Sequence, residues 1–305
     1  MKDIINNSRF PTFFLIGAAK AGTSSFYHYL KQHPQVYFPK SKEPCYFNDD
    51  NNYKLGIQSY LDTHYKKAGG YAARGDATPM LHRPEKVIPR LKDVFNKRDV
   101  RFIVILRDPV ARAWSHYWHR NRTYFEKESF ESALELEEKR IRINKDEWCG
   151  YFRDGLYAQQ LERWFSAFSK DRFLIFLYED ILKDSTSVIN KIFSFISVDP
   201  VCEVDTTRHE NTAGKPRSEW IMKLLSTKSL LGEPARMFVP RHLRKRIKTY
   251  LRSINMRSGD TNPKMPAHIE MSLRKRYKND IQMLSTIIDR DLKMWLIRNE
   301  VNNIE

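Results

Sequence analysis

The chain has 305 residues, with 53 Lys and Arg against 37 Asp and Glu, a net charge of +16, and 41% hydrophobic and 13% aromatic side chains. That much apolar and aromatic material excludes a disordered chain, and the surplus positive charge directs the protein toward anionic ligands, nucleic acid or acidic headgroups. Its three cysteines, Cys45, Cys149 and Cys202, are odd in number, far apart and lack C-x-x-C spacing, which suggests neither a disulfide framework nor a zinc site and fits a reducing compartment.

The first apolar run, residues 13–19, ends at Lys20. It is too short for a signal peptide or a membrane span, so a cytoplasmic protein is expected. Within it, residues 13–16 read as a buried strand. Residues 24–32 place Phe26, Tyr29 and Leu30 at helical spacing and stop before Pro34. Residues 102–106 read as a second strand, followed by Asp108 and Pro109 as N-cap and first helical residue. Residues 130–142 alternate acids and bases around Ala133, Leu134 and Leu136, the pattern of a solvated amphipathic helix, and residues 156–168 form another. A third strand is expected at 173–177 and a helix at 185–196. The stretch 208–262 is irregular and basic, broken by Gly214, Pro216, Gly232, Pro234 and Pro240. Residues 271–295, with Leu273, Tyr277, Ile281, Leu284, Ile288 and Leu292, read as one long terminal helix. Strand followed by helix, three times over, implies an α/β fold: a P-loop-like central parallel sheet flanked by helices, in a single domain over 1–305.

Between the first strand and its helix lies Gly17-Ala18-Ala19-Lys20-Ala21-Gly22-Thr23-Ser24-Ser25. There the backbone N–H groups of a tight loop and a helix N-terminus point at one spot, where the helix dipole adds positive potential. The glycines permit close approach, and Thr23, Ser24 and Ser25 supply hydroxyls. The spacing approaches the nucleotide P-loop G-x-x-x-x-G-K-[ST], but Thr23 stands where that motif has lysine, and Lys20 sits inside the loop. A plain strand-to-helix turn would not need a lysine and three hydroxyls together with the glycines. After the second strand, Arg107 stands at the carboxyl end of the sheet, and Ser115 lies on the same helical face as Asp108 and Ala111. A guanidinium holds a phosphate dianion bidentately, and a serine hydroxyl completes its coordination.

These two motifs resemble those of sulfotransferases that use 3′-phosphoadenosine-5′-phosphosulfate (PAPS), in the heparan sulfate and bacterial carbohydrate branch. The resemblance implies that Lys20, Ala21, Gly22, Thr23, Ser24 and Ser25 hold the 5′-phosphosulfate, and that Arg107 and Ser115 bind the 3′-phosphate. It extends to Gly155-Leu156-Tyr157 with Leu161 and Trp164, to Tyr178-Glu179-Asp180, and to a late basic loop with Lys215 and Arg217. It thereby assigns Tyr157, Lys215 and Arg217 to the cosubstrate. Lys42-Glu43-Pro44 followed by Tyr46 and Phe47 resembles the family's K-E-x-x-F-F segment, which implies Glu43 as general base. Gly75-Asp76-Ala77-Thr78-Pro79 resembles a strand end where acceptor and catalytic groups lie close. Asp76 and His119 are the next residues to consider as base.

In-line sulfuryl transfer needs the leaving phosphate neutralised, the acceptor deprotonated and the sulfuryl oxygens given donors. Lys20 fits the first task and Glu43 the second. PAPS as cosubstrate, PAP as product and no metal are expected. The acceptor is expected to be a saccharide or glycoconjugate, with a small lipid or natural product as the alternative. A P-loop kinase would want lysine at Thr23. The basic run Arg236, Arg241, Arg244, Lys245, Arg246, Lys248, Arg252 and Arg257 raises a nucleic-acid-binding alternative, but no nucleic-acid partner is expected. That run is expected instead to hold an anionic acceptor or an acidic membrane surface.

Overall fold

The structure, a computed structural model, describes residues 8–80, 85–95, 98–143, 147–200, 203–207 and 262–297. Within these, the chain order is β1 (Phe13–Gly17), α1 (Thr23–Leu30), β2 (Val36–Tyr37), α2 (Asp50–Lys54), α3 (Gly56–His64), β3 (Ala73–Asp76), α4 (Val87–Phe95), β4 (Arg101–Leu106), α5 (Pro109–Arg122), α6 (Phe130–Arg142), α7 (Tyr157–Ala167), β5 (Phe173–Leu177), α8 (Tyr178–Lys183), α9 (Ser185–Phe195) and α10 (Ala267–Ile288). The chain divides into two compact units: Met1–Arg112 with Asp154–Glu210 and Met271–Glu305, and Ala113–Arg153 with Asn211–Glu270. The basic stretch expected at 208–262 lies, apart from Asn262, outside the described residues.

The first unit is built on a five-stranded sheet in the order β2-β3-β1-β4-β5, every neighbouring pair parallel. The expected parallel α/β architecture is therefore present, and three of its strands are those the apolar runs mark. All five residues of β1 are buried, as a central strand covered on both faces requires. Register places Phe14 beside Phe102 and Phe102 beside Phe173, which forms an aromatic row across three strands. Phe14 and Phe102 stack at 6.1 Å, Phe102 and Phe173 at 4.9 Å. Phe95 of α4 and Trp164 of α7 close on this row edge-on. Each such ring contributes about 1.5–3 kcal/mol by leaving water. On the opposite face Phe13 meets Phe38, which in turn meets Tyr27 of α1.

The strand β3 has the sequence Ala-Arg-Gly-Asp, with no apolar run to announce it. Gly75 is there because a Cβ would come within 2.3 Å of the Phe38 ring and 2.5 Å of the Phe13 ring. Those rings occupy the space that a side chain would take on a strand residue.

The single terminal helix expected over 271–295 is corrected by the structure. Helix α10 runs Ala267–Ile288, Asp289 turns left-handed at φ 51, and a 3₁₀ turn follows at Lys293–Trp295. A short polar residue tolerates that conformation and ends the helix, and Ser285 Oγ donates to the Arg290 carbonyl to hold the exit. Helix α10 also supplies what α7 lacks. The N-cap residue of α7 is Leu156, whose side chain accepts nothing. Asp280 instead accepts from the N–H groups of Ala158 and Gln159 at 3.2 and 3.4 Å, placing a carboxylate on the positive end of α7.

In the second unit, Glu126 is a buried hub. It accepts from the N–H groups of Lys127 and Glu128, from the Tyr151 hydroxyl at 2.7 Å and from Arg140 at 2.5 Å. Burial would push its carboxyl up, but the Arg140 and Tyr151 hydrogen bonds prevail and hold it below the usual range. Trp114, Tyr117, Trp118 and Phe130 form an aromatic cluster along α5 and α6 in this unit. No described helix is long and apolar enough to cross a membrane.

Candidate functional site

The strand order fixes where a ligand belongs. From β1 the chain crosses to β2 and β3 on one side, then returns past β1 to β4 on the other. The loops at the carboxyl ends of β1 and β4 therefore diverge, and the crevice they leave is the usual ligand position in an open α/β sheet. Both phosphate motifs of the sequence start there. The pairing of β1 with β4 slips between Leu15 and Gly17, a bulge that re-aims the chain as it enters the loop.

In that loop Ala21 donates its N–H to the Ala18 carbonyl at 3.1 Å, and Gly22 forms the N-cap of α1 at φ 88. Gly22 offers no side-chain cap, and the N–H groups of Thr23, Ser24 and Ser25 in the first turn have no intrahelical acceptor. Lys20 is itself left-handed at φ 72, a conformation that costs a side-chained residue about 1 kcal/mol. Its carbonyl accepts from Arg107 Nη1 at 3.0 Å, so the two motifs touch. The Arg107 guanidinium also lies 4.9 Å from the centre of the Tyr178 ring, and that ring rests against Gly22, where a Cβ would stand 3.3 Å from it. From behind, the Tyr157 hydroxyl donates to the Arg107 carbonyl at 3.0 Å. Tyr157 is 1% exposed, and burial raises its hydroxyl well above the ordinary tyrosine range.

Asp108 caps α5 as its sequence position predicts, accepting from the Val110 N–H at 2.9 Å. Its other oxygen takes Arg274 Nη2 at 3.1 Å. Burial still pushes the Asp108 carboxyl up, with Arg274 opposing.

Glu43 stands next to this loop. Lys42 Nζ lies 2.9 Å from Ser24 Oγ in the first turn of α1 and 3.1 Å from Glu43 Oε1. One ammonium thus spans the first turn of α1 and the carboxylate. Further along the same segment, the Cys45 N–H donates to Thr78 Oγ1 at 3.4 Å, and Thr78 Oγ1 donates to Asp76 Oδ1 at 2.6 Å. The Tyr60 hydroxyl donates to the other Asp76 oxygen at 2.8 Å. Burial pushes the Asp76 carboxyl up to about 6, against its hydrogen bonds from Thr78 and Tyr60 and with a smaller push from the Glu43 charge. Burial, followed by the charges of Glu43 and Asp76, drives the Cys45 thiol up to about 12. Among the described residues no group of three or more His, Cys, Asp or Glu is placed to hold a metal ion.

The first unit thus assembles Lys20, Ala21, Gly22, Thr23, Ser24, Ser25, Arg107 and Tyr157, and joins Glu43 to them through Lys42. Ser115 is half-buried on α5 and belongs to the second unit, as does the exposed His119. Lys215 and Arg217 lie outside the described residues. Sequence reasoning gave no role to Lys42, Thr78, Tyr60 or Tyr178. For Lys42 the signal was its place beside Glu43. For Tyr178 it was a ring at the end of β5 and a glycine able to receive it.

The set combines N–H donors and cations at one end of a sheet with a carboxylate within an ammonium's reach, which suits transfer of an anionic group to a deprotonated acceptor. The family model for the sulfotransferase domain matches residues 10–253. The chain is 26% identical over 250 residues to carbohydrate sulfotransferase 15 of Rattus norvegicus, covering 63% of this chain and 45% of that protein. It is 27% identical over 214 residues to bifunctional heparan sulfate N-deacetylase/N-sulfotransferase 4 of Mus musculus, covering 62% of this chain and 22% of that protein. The chain spans less than half the length of these relatives. A solved sulfotransferase from Alicyclobacillus acidocaldarius has the same fold, with a TM-score of 0.69 at 24% identity over 94% of this chain and 98% of that one.

Proposed function

The chain belongs to the sulfotransferase family, and on that footing we propose that it transfers the sulfuryl group of PAPS to a hydroxyl or amine of a saccharide acceptor. The observation that carries this reading is the Lys42 ammonium, which bridges Ser24 on the phosphate helix to Glu43 and so sets a carboxylate beside the anion site. The fit of the donor is supported by a first turn of α1 without a side-chain cap, with Arg107 tied to the loop at Lys20.

In this reading Lys20 and the N-terminal turn of α1 hold the 5′-phosphosulfate, and Arg107 takes the 3′-phosphate. Glu43 accepts the proton of the acceptor hydroxyl as the new oxygen–sulfur bond forms. The bond from sulfur to the phosphate oxygen breaks, and its electron pair stays with that oxygen as the 5′-phosphate of PAP, beside Lys20. The saccharide acceptor is supported by relatives named for carbohydrate and heparan sulfate.

The test is a transfer screen with PAPS against saccharide, lipid and phenolic acceptors, read by mass. A gain of one sulfuryl group on a saccharide is the expected result. Transfer confined to lipids or phenols would move the acceptor class, and no transfer, with equal affinity for PAP and AMP, would remove the donor assignment.

A further inference from the structure

We propose that Lys42 is an exchangeable cation that masks Glu43 until the donor arrives, and then moves to the donor's 5′ group. This rests on the donor and base assignments above. The lysine has three N–H donors, and the structure accounts for two partners, Ser24 Oγ at 2.9 Å and Glu43 Oε1 at 3.1 Å. The pair is partly withdrawn from water, with the Lys42 side chain 20% exposed and that of Glu43 33% exposed. The ammonium occupies Glu43 Oε1, so while it stays there that oxygen is taken and does not face an acceptor proton.

Ser24 is what makes the contact exchangeable. Its hydroxyl keeps the ammonium at the first turn of α1, where N–H groups and the helix dipole attract an anion. A phosphosulfate seated on that turn brings more negative charge to Lys42 than one carboxylate does, and brings it to the side on which Ser24 already holds the ammonium. Lys42 then turns from Glu43 to the donor. The carboxylate is released as the transferable group comes into place, so acceptor deprotonation follows donor binding. The same movement adds a positive charge beside the oxygens of the transferring group. After transfer the proton sits on Glu43, which no longer attracts the ammonium, and Lys42 returns only when PAP and that proton have left.

The experiment compares PAP with adenosine 3′-phosphate, which lacks the 5′ group, by calorimetry on the full chain. Wild type should prefer PAP. Lys42→Met should reduce PAP affinity by about tenfold while leaving adenosine 3′-phosphate unchanged, since one charge-assisted hydrogen bond is lost. Lys42→Arg, which keeps the charge, should retain most of the preference. The ¹⁵Nζ resonance of Lys42, identified by its loss in Lys42→Met, should shift with PAP and stay in place with adenosine 3′-phosphate. A wild type that does not distinguish the two ligands would overturn the donor reading and this proposal together. A wild type that does, with the preference intact in Lys42→Met or the resonance unmoved by PAP, would overturn the role of Lys42 alone.

Discussion

The two sides of the site in the first unit are held by different means. On the donor side, the loop after β1 is fixed by backbone: a left-handed Lys20, a left-handed Gly22 and a carbonyl that receives Arg107. On the acceptor side, Glu43 and Asp76 are fixed by side chains, through Lys42, Thr78 and Tyr60. Backbone donors neither titrate nor rearrange when a neighbour is substituted, whereas a carboxylate held by hydroxyls and an ammonium does both. The backbone part of donor recognition should therefore be insensitive to pH, and acceptor activation should not be.

The sharpest way to break this contrast is Glu43→Gln. It should lower kcat by at least about a hundredfold, the usual contribution of a positioned base, while PAP binds no more weakly. Steady-state kinetics and calorimetry on one preparation decide it. Near-normal turnover at saturating acceptor would pass the role to Asp76 or His119.

Asp76 gives the next largest effect, seen in stability against pH. Its folded carboxyl is raised to about 6 from an unfolded value near 3.8, so the folded chain holds that proton more tightly. The group therefore opposes folding fully above pH 6, and the opposition fades as pH falls from 6 toward 4. About two units correspond to ~3 kcal/mol. Glu126 and Asp180, both lowered, act with the opposite sign, so the quantity to measure is the difference between Asp76→Asn and wild type in urea unfolding at each pH. That difference should change between pH 4 and 6. Parallel curves would show that Asp76 does not titrate as described.

On the donor side, Arg107→Ala should narrow the preference for PAP over AMP by roughly tenfold or more, as expected for a charge-assisted phosphate contact. An unchanged ratio would remove Arg107 from the 3′-phosphate. The smallest effect belongs to Tyr157→Phe, which removes one hydrogen bond to the Arg107 carbonyl. It should cost ~1 kcal/mol in denaturant unfolding and leave the PAP preference nearly intact. If it abolished that preference, the donor side would depend on side chains after all.

What could be read from sequence follows the same division. The loop after β1 and Arg107 at the end of β4 are local patterns, a glycine pair and an arginine behind an apolar run, and the chain shows them directly. Strand β3 hid because its register depends on Gly75 yielding to two rings from other segments and on a buried Asp76. Helix α4 hid because Pro89 sits in its first turn, where proline is tolerated but looks like a stop. Lys42 could be seen next to Glu43 but not next to Ser24, a contact across eighteen residues made only by folding. The end of α10 at Asp289 interrupts an apolar spacing that continues through it to Leu292.

The buried pair of Arg274 with Asp108 has a consequence for the order in which the molecule is made. The phosphate loop, β4 and the cap of α5 leave the ribosome within the first 109 residues, yet the cation that answers Asp108 comes 166 residues later. Arg274 is then steadied by the Trp295 carbonyl, and Trp295 donates to Glu179 at the end of β5. Until those last residues emerge, the nascent chain carries a carboxylate at the foot of Arg107 without its guanidinium partner. The earliest part of the site to be synthesised is thus finished by residues 274–295, and productive binding of donor should await their emergence from the ribosome.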